Sequence, residues 1–326
     1  MGSRRSPWLP LRHLLEYFVF RTIVCLLQIL TPQQNLRLAE SLAHFVFHVL
    51  PRKVTRYKVA RENLQIAFGD EMTDEEADRT IYGMWLHLFR MITEIVQMPR
   101  RARIDNYHQL LTFRNRTGVV KSMCSERPTF LLSGHYGNWE VSITVFGLFG
   151  FPMGMVARPL DNPYLNAWFD DFRKFTGHWM IAKKGAYKQM ADILANGGSV
   201  ALLGDQDAGT KGTFVPFFGR QASTFPTIAR LAIEYDATIC LGYSRRLEDD
   251  FDEHPWVHYE LGCEEVIDPR DFADDPEPVD AITRQFTNAL ERAVRLAPEQ
   301  YFWVHRRWKT RPPHSITSSP PLAKAG

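Results

Sequence analysis

Apolar positions fall into three regimes along the chain. From Leu14 to Leu30 the run LLEYFVFRTIVCLLQIL is nearly continuous, broken by Glu16, Arg21 and Gln28, and slightly shorter than a comfortable bilayer span. A helical period follows: Leu38, Leu42, Phe45, Val46 and Val49 predict an amphipathic helix over 35–50 that Pro51 stops. Ala77, Ile81, Met84, Trp85, Leu88, Ile92 and Ile95 predict a second, opened by a capping box at Thr73 and Glu76 and running up to Pro99. From Thr129 onward the short runs TFLLS, MGMVA, VALLG, TICLGY and WVHYEL alternate with helical segments at 163–176, 186–196 and 279–296. That alternation predicts an α/β fold, a mixed central sheet flanked by helices, preceded by an N-terminal membrane-anchor helix and a helical segment. The boundaries read as 1–34 for the basic segment and anchor, 35–311 for the main domain (helical over 35–100, α/β over 129–311), and 312–326 for a Pro- and Ser-rich tail read as disordered.

The basic residues Arg4, Arg5 and Arg12 resemble a leader, but no small-residue cleavage site follows the apolar run, so the segment is expected to stay as an anchor. A tilted span and a helix lying in the interface both fit it. Arg52, Lys53, Arg56, Lys58 and Arg61 lie beyond it, so basic residues flank both sides and do not orient a span; they suit an anionic leaflet. Composition adds exclusions. A net charge of +2 over 326 residues leaves no broad nucleic-acid footprint. The cysteines Cys25, Cys124, Cys240 and Cys263 form no CxxC pair, which argues against a zinc knuckle or redox dithiol and for a reducing, cytoplasm-facing compartment. The 22 Phe and 8 Trp are generous and hint at lipid contact.

Chemistry concentrates in LLSGHYGNWE, Leu131 to Glu140, where an apolar strand runs into His135 between Gly134 and Gly137. Asn138 is a suitable N-cap for a helix starting at Trp139, which places Glu140 in the first turn, where the dipole favours its ionised form. Residues five apart on a helix point about 140° from each other, so His135 and Glu140 meet only if the glycine turn bends the chain back. A histidine paired with a carboxylate is a device for deprotonating a hydroxyl: the imidazole takes the proton and the carboxylate fixes its tautomer. Backbone amides near Gly137 or at the helix start are candidate oxyanion donors.

H-x-x-x-x-E after an apolar strand resembles the H-x4-D/E motif of the glycerolipid acyltransferases, and the nearer resemblance is to the lipid A lauroyl/myristoyl acyltransferases. RKVTRYKVARENLQIAF, ARPLDNPYLN, GDQDAGTKGTFVPFFGR and PEQYFWVHRRWKTRP carry it in family order. The resemblance implies acyl transfer from a thioester, on acyl carrier protein or acyl-CoA, to a hydroxyl of a lipid A precursor at the inner membrane, with the active domain facing the cytoplasm and no cofactor or metal. It places the base at His135, the orienting carboxylate at Glu140, and substrate contacts at Gly137, Asn138, Arg158 and Asp205. Arg158 has a second reading as an ion pair with Asp161, and the resemblance gives Asp205 a place but no physical role. A relative acting on a phosphatidylinositol mannoside or lysolipid, and a non-catalytic lipid-docking protein, are the alternatives. Arg306, Arg307, Lys309 and Arg311 beside Trp303 and Trp308 suggest a patch for an acidic carrier or for anionic headgroups. Ser199 precedes its strand and so is no nucleophile elbow. Glu40, His44 and His48 read as a helical stripe, and GTKGTF lacks Walker spacing.

Overall fold

The computed structural model describes residues 9–182 and 185–313. The first hundred residues form four helices, α1 (Leu9–Ile29), α2 (Pro32–His44, continued by a π turn to Val49), α3 (Tyr57–Phe68) and α4 (Asp74–Arg101). Thr31 and Thr73 each close a capping box, with Gln34 and Glu76 respectively. Pro99 does not end α4 but sits inside its last turn, where only one intrahelical bond is forfeited.

The remainder alternates as the apolar runs require. Strands β1 (Leu111–Arg114), β2 (Thr129–Ser133), β3 (Gly154–Ala157), β4 (Trp179–Ala182), β5 (Ser199–Leu203), β8 (Thr238–Arg246) and β9 (Tyr259–Ile267) form one sheet in the order β1-β9-β8-β2-β5-β3-β4, while β6 (Thr213–Phe217) and β7 (Arg220–Thr224) form a separate hairpin. Only the β8–β9 pairing in the large sheet is antiparallel. The connecting helices are α5 (Arg116–Met123), α6 (Trp139–Leu148), α7 (Pro163–Lys174), α8 (Ala186–Ala195), α9 (Thr227–Glu234) and α10 (Pro278–Leu296). WVHYEL enters the sheet only from Tyr259, and the expected tail lies, beyond Pro313, outside the described residues.

Side-chain alternation along β2 divides the interior. Phe130 and Leu132 join the main core with Phe286 and Leu290 of α10, while Leu131 packs with Phe146 of α6. Truncating a fully buried ring such as Phe286 costs about 3–5 kcal/mol. The expected anchor is α1, which buries Val24 and Leu27 against Val96 of α4 and sets Phe20 against Trp168 of α7. Its other face leaves Leu11, Leu15, Phe18, Leu26 and Ile29 exposed. No helix among the described residues is long and apolar enough to cross a membrane.

Candidate functional site

β2 and β5 are parallel neighbours in register, Ser133 opposite Leu203. Their exits therefore leave the sheet side by side, and the Gly204 amide extends the ladder by donating to the Ser133 carbonyl. Two residues past the register pair stand His135 on one strand and Asp205 on the other. Asp205 Oδ1 lies 2.7 Å from His135 Nδ1, and Oδ2 accepts the His135 backbone N–H at 2.8 Å. Gly134 permits the approach, since a Cβ there would meet Leu290 at 2.8 Å and Asp205 Oδ2 at 3.1 Å. An ionised carboxylate only accepts hydrogen bonds, so Nδ1 carries the proton and Nε2 presents its lone pair. Burial pushes the His135 pKa down, but the charge and hydrogen bond of Asp205 lift it, on balance, above the ordinary histidine value. Burial opposes ionisation of Asp205, yet His135 outweighs it and holds the carboxyl well below its usual range.

Glu140 makes no hydrogen bond to His135, whose side-chain partner is Asp205. Glu140 lies in the first turn of α6, directed toward α7, where Arg173 holds it through Nη2–Oε1 at 2.7 Å and Nε–Oε2 at 3.3 Å. The carboxylate behind the imidazole is that of Asp205, because the adjacent strand delivers it there while the helix turns Glu140 aside. His135, Glu140 and Arg173 nevertheless line one cavity of about 1690 Å³. It continues beneath α6 along Leu131, Phe146, Phe149, Met153 and Met155, an apolar path across the sheet.

Gly137 adopts φ +60°, and a Cβ there would fall 2.0 Å from the Ser244 carbonyl oxygen. Its amide donates to Gln300 O and that of Asn138 to Ser244 O, so neither is free for an oxyanion. The helix-start amides of Trp139 and Glu140 lack intrahelical acceptors and stay available. Asn138 caps α6 by accepting from Val141 N, and its Nδ2 donates to the Tyr259 hydroxyl. Tyr259 donates in turn to Glu94, which grips Arg246 at 2.7 Å, so a buried polar chain anchors the start of α6 to α4. It fixes the loop rather than offering a surface to a ligand. Arg158 stands exposed on the cavity wall, 3.6 Å from Asp161, an ion pair in which both partners face solvent and which adds little stability. Asp207 receives Thr310 N and Oγ1 and Gly209 N, a loop-closing role.

The C-terminal segment corrects part of the surface-patch reading: Arg306, Lys309 and Arg311 are exposed, but the other three members are not. Trp303, Arg307 and Trp308 are buried, and Arg307 donates to Ser223 O and Thr224 Oγ1, both at 2.6 Å. The segment is drawn over the His135 loop: Phe302 N donates to His135 O, and the rings of Phe302 and His305 stand 6.3 and 6.1 Å from that of His135. Burial lowers the His305 pKa, and its Nδ1 lies 2.7 Å from Phe302 O. Arg173, Phe302 and His305 carried no signal as site residues in the sequence. The resemblance placed Asp205 at the site, and its pairing with His135 left a trace in the matched endings LLSGH and ALLGD.

The family model for bacterial lipid A biosynthesis acyltransferases matches residues 9–310. The chain belongs to this family. It is 25% identical over 266 residues to a lipid A biosynthesis lauroyltransferase of Escherichia coli (strain K12), covering 79% of this chain and 80% of that protein. A lipid A biosynthesis palmitoleoyltransferase of the same strain is 24% identical over 262 residues, with 79% and 80% covered. A lipid A biosynthesis acyltransferase of Haemophilus influenzae is 23% identical over 276 residues, with 84% and 81% covered. The chain is thus an O-acyltransferase of the lipid A type.

Proposed function

We propose that this acyltransferase moves a fatty acyl group from an acyl thioester, on acyl carrier protein or acyl-CoA, to a hydroxyl of a lipid A precursor, with His135 as general base. The observation that carries the reading is the His135–Asp205 pair at the wall of a large apolar cavity, with Nε2 left free of protein partners among the described residues. Nε2 accepts the proton of the acceptor hydroxyl as its oxygen attacks the thioester carbonyl. The C–S bond then breaks, and the departing thiolate takes the proton back from the imidazolium, so no acyl-enzyme forms. General-base help of this kind contributes about 10²- to 10⁴-fold. Trp139 and Glu140 amides, pointing out of the start of α6, are the donors for the developing oxyanion. The Glu140–Arg173 pair holds α6 against α7 and keeps a guanidinium at the cavity wall for an anionic group of a substrate. The cavity exceeds the 300–1,000 Å³ of ordinary ligand sites, as the simultaneous presence of two lipid chains requires.

The exposed apolar face of α1 favours a helix lying in the interface of the inner membrane, with the α/β domain on the cytoplasmic side. α1 is tied to the rim of the cavity, since Asn162 before α7 donates to His13 O and to Glu16, both at 2.9 Å. A purified preparation given a thioester donor and a lipid A precursor should add one acyl chain per acceptor, and His135→Ala should lose transfer while remaining folded by circular dichroism. Equal turnover by the variant would sink the mechanism. Transfer confined to a phosphatidylinositol mannoside or a lysophospholipid would instead move the acceptor assignment.

A further inference from the structure

Exposed residues on the cavity wall mark where substrates enter. One group, Arg158, Pro159 and Leu160, leads into α7, which packs on α1. A second lies across the sheet at the end of β1 and on α5: Arg114, Arg116, Thr117, Val120 and Lys121. On α5, Arg116 with Val120 and Thr117 with Lys121 are each four residues apart, so all four share one face of the helix. Arg114 Nη1 donates to the Tyr243 hydroxyl at 3.1 Å, on a ring that also lines the cavity. The carboxylates that act on Arg114, Glu264 and Glu260, are engaged elsewhere, Glu264 by Arg292 at 3.0 Å and Glu260 by Arg245 at 3.2 Å. Among the described residues Arg114, Arg116 and Lys121 thus stand at a cavity mouth without forming a salt bridge, and β9 and β8, with Gly262, Gly242 and Tyr243 on the wall, separate them from the His135 strand.

We propose that Arg114, Arg116 and Lys121 receive the phosphate of the phosphopantetheine arm of the acyl donor, while the lipid acceptor enters from the α1 and α7 side. This rests on the acyl-transfer reading above. The acceptor is a lipid, so its route belongs beside α1, which presents Leu11, Leu15, Phe18, Leu26 and Ile29 to solvent and is tied to the cavity rim. A water-soluble thioester needs a different mouth. Its arm carries a phosphate at one end and the reacting sulfur at the other, which asks for cations at the rim and a passage to Nε2. Acyl carrier protein and acyl-CoA share that phosphate, so the site is common to both sources.

The test compares acyl-phosphopantetheine with acyl-pantetheine, which differ only in the phosphate, on the folded full chain. The wild type should show a donor kcat/KM roughly tenfold higher for the phosphorylated arm, about one well-placed charge-assisted contact. Arg116→Glu with Lys121→Glu should erase that preference and raise KM for both acyl-CoA and acyl carrier protein about tenfold, while Arg284→Glu, at an exposed position of α10 that does not line the cavity, should retain the preference. A wild type indifferent to the phosphate, or a charge reversal that weakens only the carrier protein and leaves acyl-phosphopantetheine untouched, overturns the proposal. A wild type that uses no thioester at all overturns the acyl-transfer reading instead.

Discussion

Asp205→Asn isolates the orienting carboxylate with almost no change of shape. In the native site Oδ1 faces His135 Nδ1 at 2.7 Å and Oδ2 faces the His135 backbone N–H at 2.8 Å, with no solvent access to the Asp205 side chain. A backbone N–H can only donate, so the amide oxygen must stay on it, and the NH₂ group is forced toward Nδ1. Nδ1 must then accept, the proton moves to Nε2, and the base loses the lone pair it needs. Loss of the base alone removes about 10²-fold or more, and a wrong tautomer in a comparable histidine–aspartate arrangement removes about 10⁴-fold. The expected loss in kcat is therefore about 10³- to 10⁴-fold, or about 4–5.5 kcal/mol of transition-state stabilisation. The sign of the pH effect is also fixed. Asp205 raises the His135 pKa, so the wild-type acid limb lies above the ordinary histidine value, and removing the charge must move that limb to lower pH. The pair's stabilising contribution follows the same linkage: the His135 share fades as pH rises through its raised pKa, and the Asp205 share fades as pH falls through its depressed one. Steady-state kinetics across pH on the purified variant, with circular dichroism as the check on folding, measures all of this. Turnover within threefold of wild type, or an acid limb that does not move, would refute the assignment of Asp205.

Three further outcomes are expected. Glu140→Gln should lower thermal stability by about 1–3 kcal/mol, because it strips charge from a bidentate pair with a largely buried Arg173; adding Arg173→Met should recover part of that stability but no activity, as thermal melts and turnover of the double-mutant cycle would show. Gly137→Ala should destabilise the fold by at least about 3 kcal/mol in chemical denaturation, since it combines φ +60° with a Cβ that overlaps the Ser244 carbonyl. Leu15→Asp with Phe18→Asp should reduce sedimentation with anionic vesicles and leave the melting temperature within a degree or two, because both side chains lie on the exposed face of α1; unchanged sedimentation would move attachment elsewhere on the chain.

Local features of this chain were legible and long-range pairings were not. TFLLS and VALLG read as strands because they are short apolar runs bounded by polar or glycine residues, and the capping boxes at Thr31 and Thr73 mark real helix starts, although only the second was read. His135 stood out because its strand exit, glycines and helix cap are contiguous. The carboxylate behind it was assigned to Glu140 because Glu140 is near in sequence, whereas Asp205 becomes its partner only through the adjacency of β2 and β5, across 70 residues. Arg173 lay hidden in an ordinary amphipathic helix for the same reason. Composition misled in part at the C-terminus: Arg306, Lys309 and Arg311 are exposed, but Trp303 and Trp308 fill the core, and Arg307 is buried on the Ser223 carbonyl and the Thr224 hydroxyl. The β6–β7 hairpin left a weak pattern because Pro216 interrupts it, and a two-stranded ladder tolerates a proline that a central strand would not.

The central claim is that His135 drives transfer of one acyl chain to a lipid A precursor, and mass spectrometry of lipid A from producing cells tests it most directly. Cells lacking the protein should accumulate a precursor short by one acyl chain, wild-type protein should restore the full mass, and His135→Ala produced at equal level should leave the precursor unchanged. Lipid A of identical mass with and without the protein, or full restoration by His135→Ala, would contradict the account.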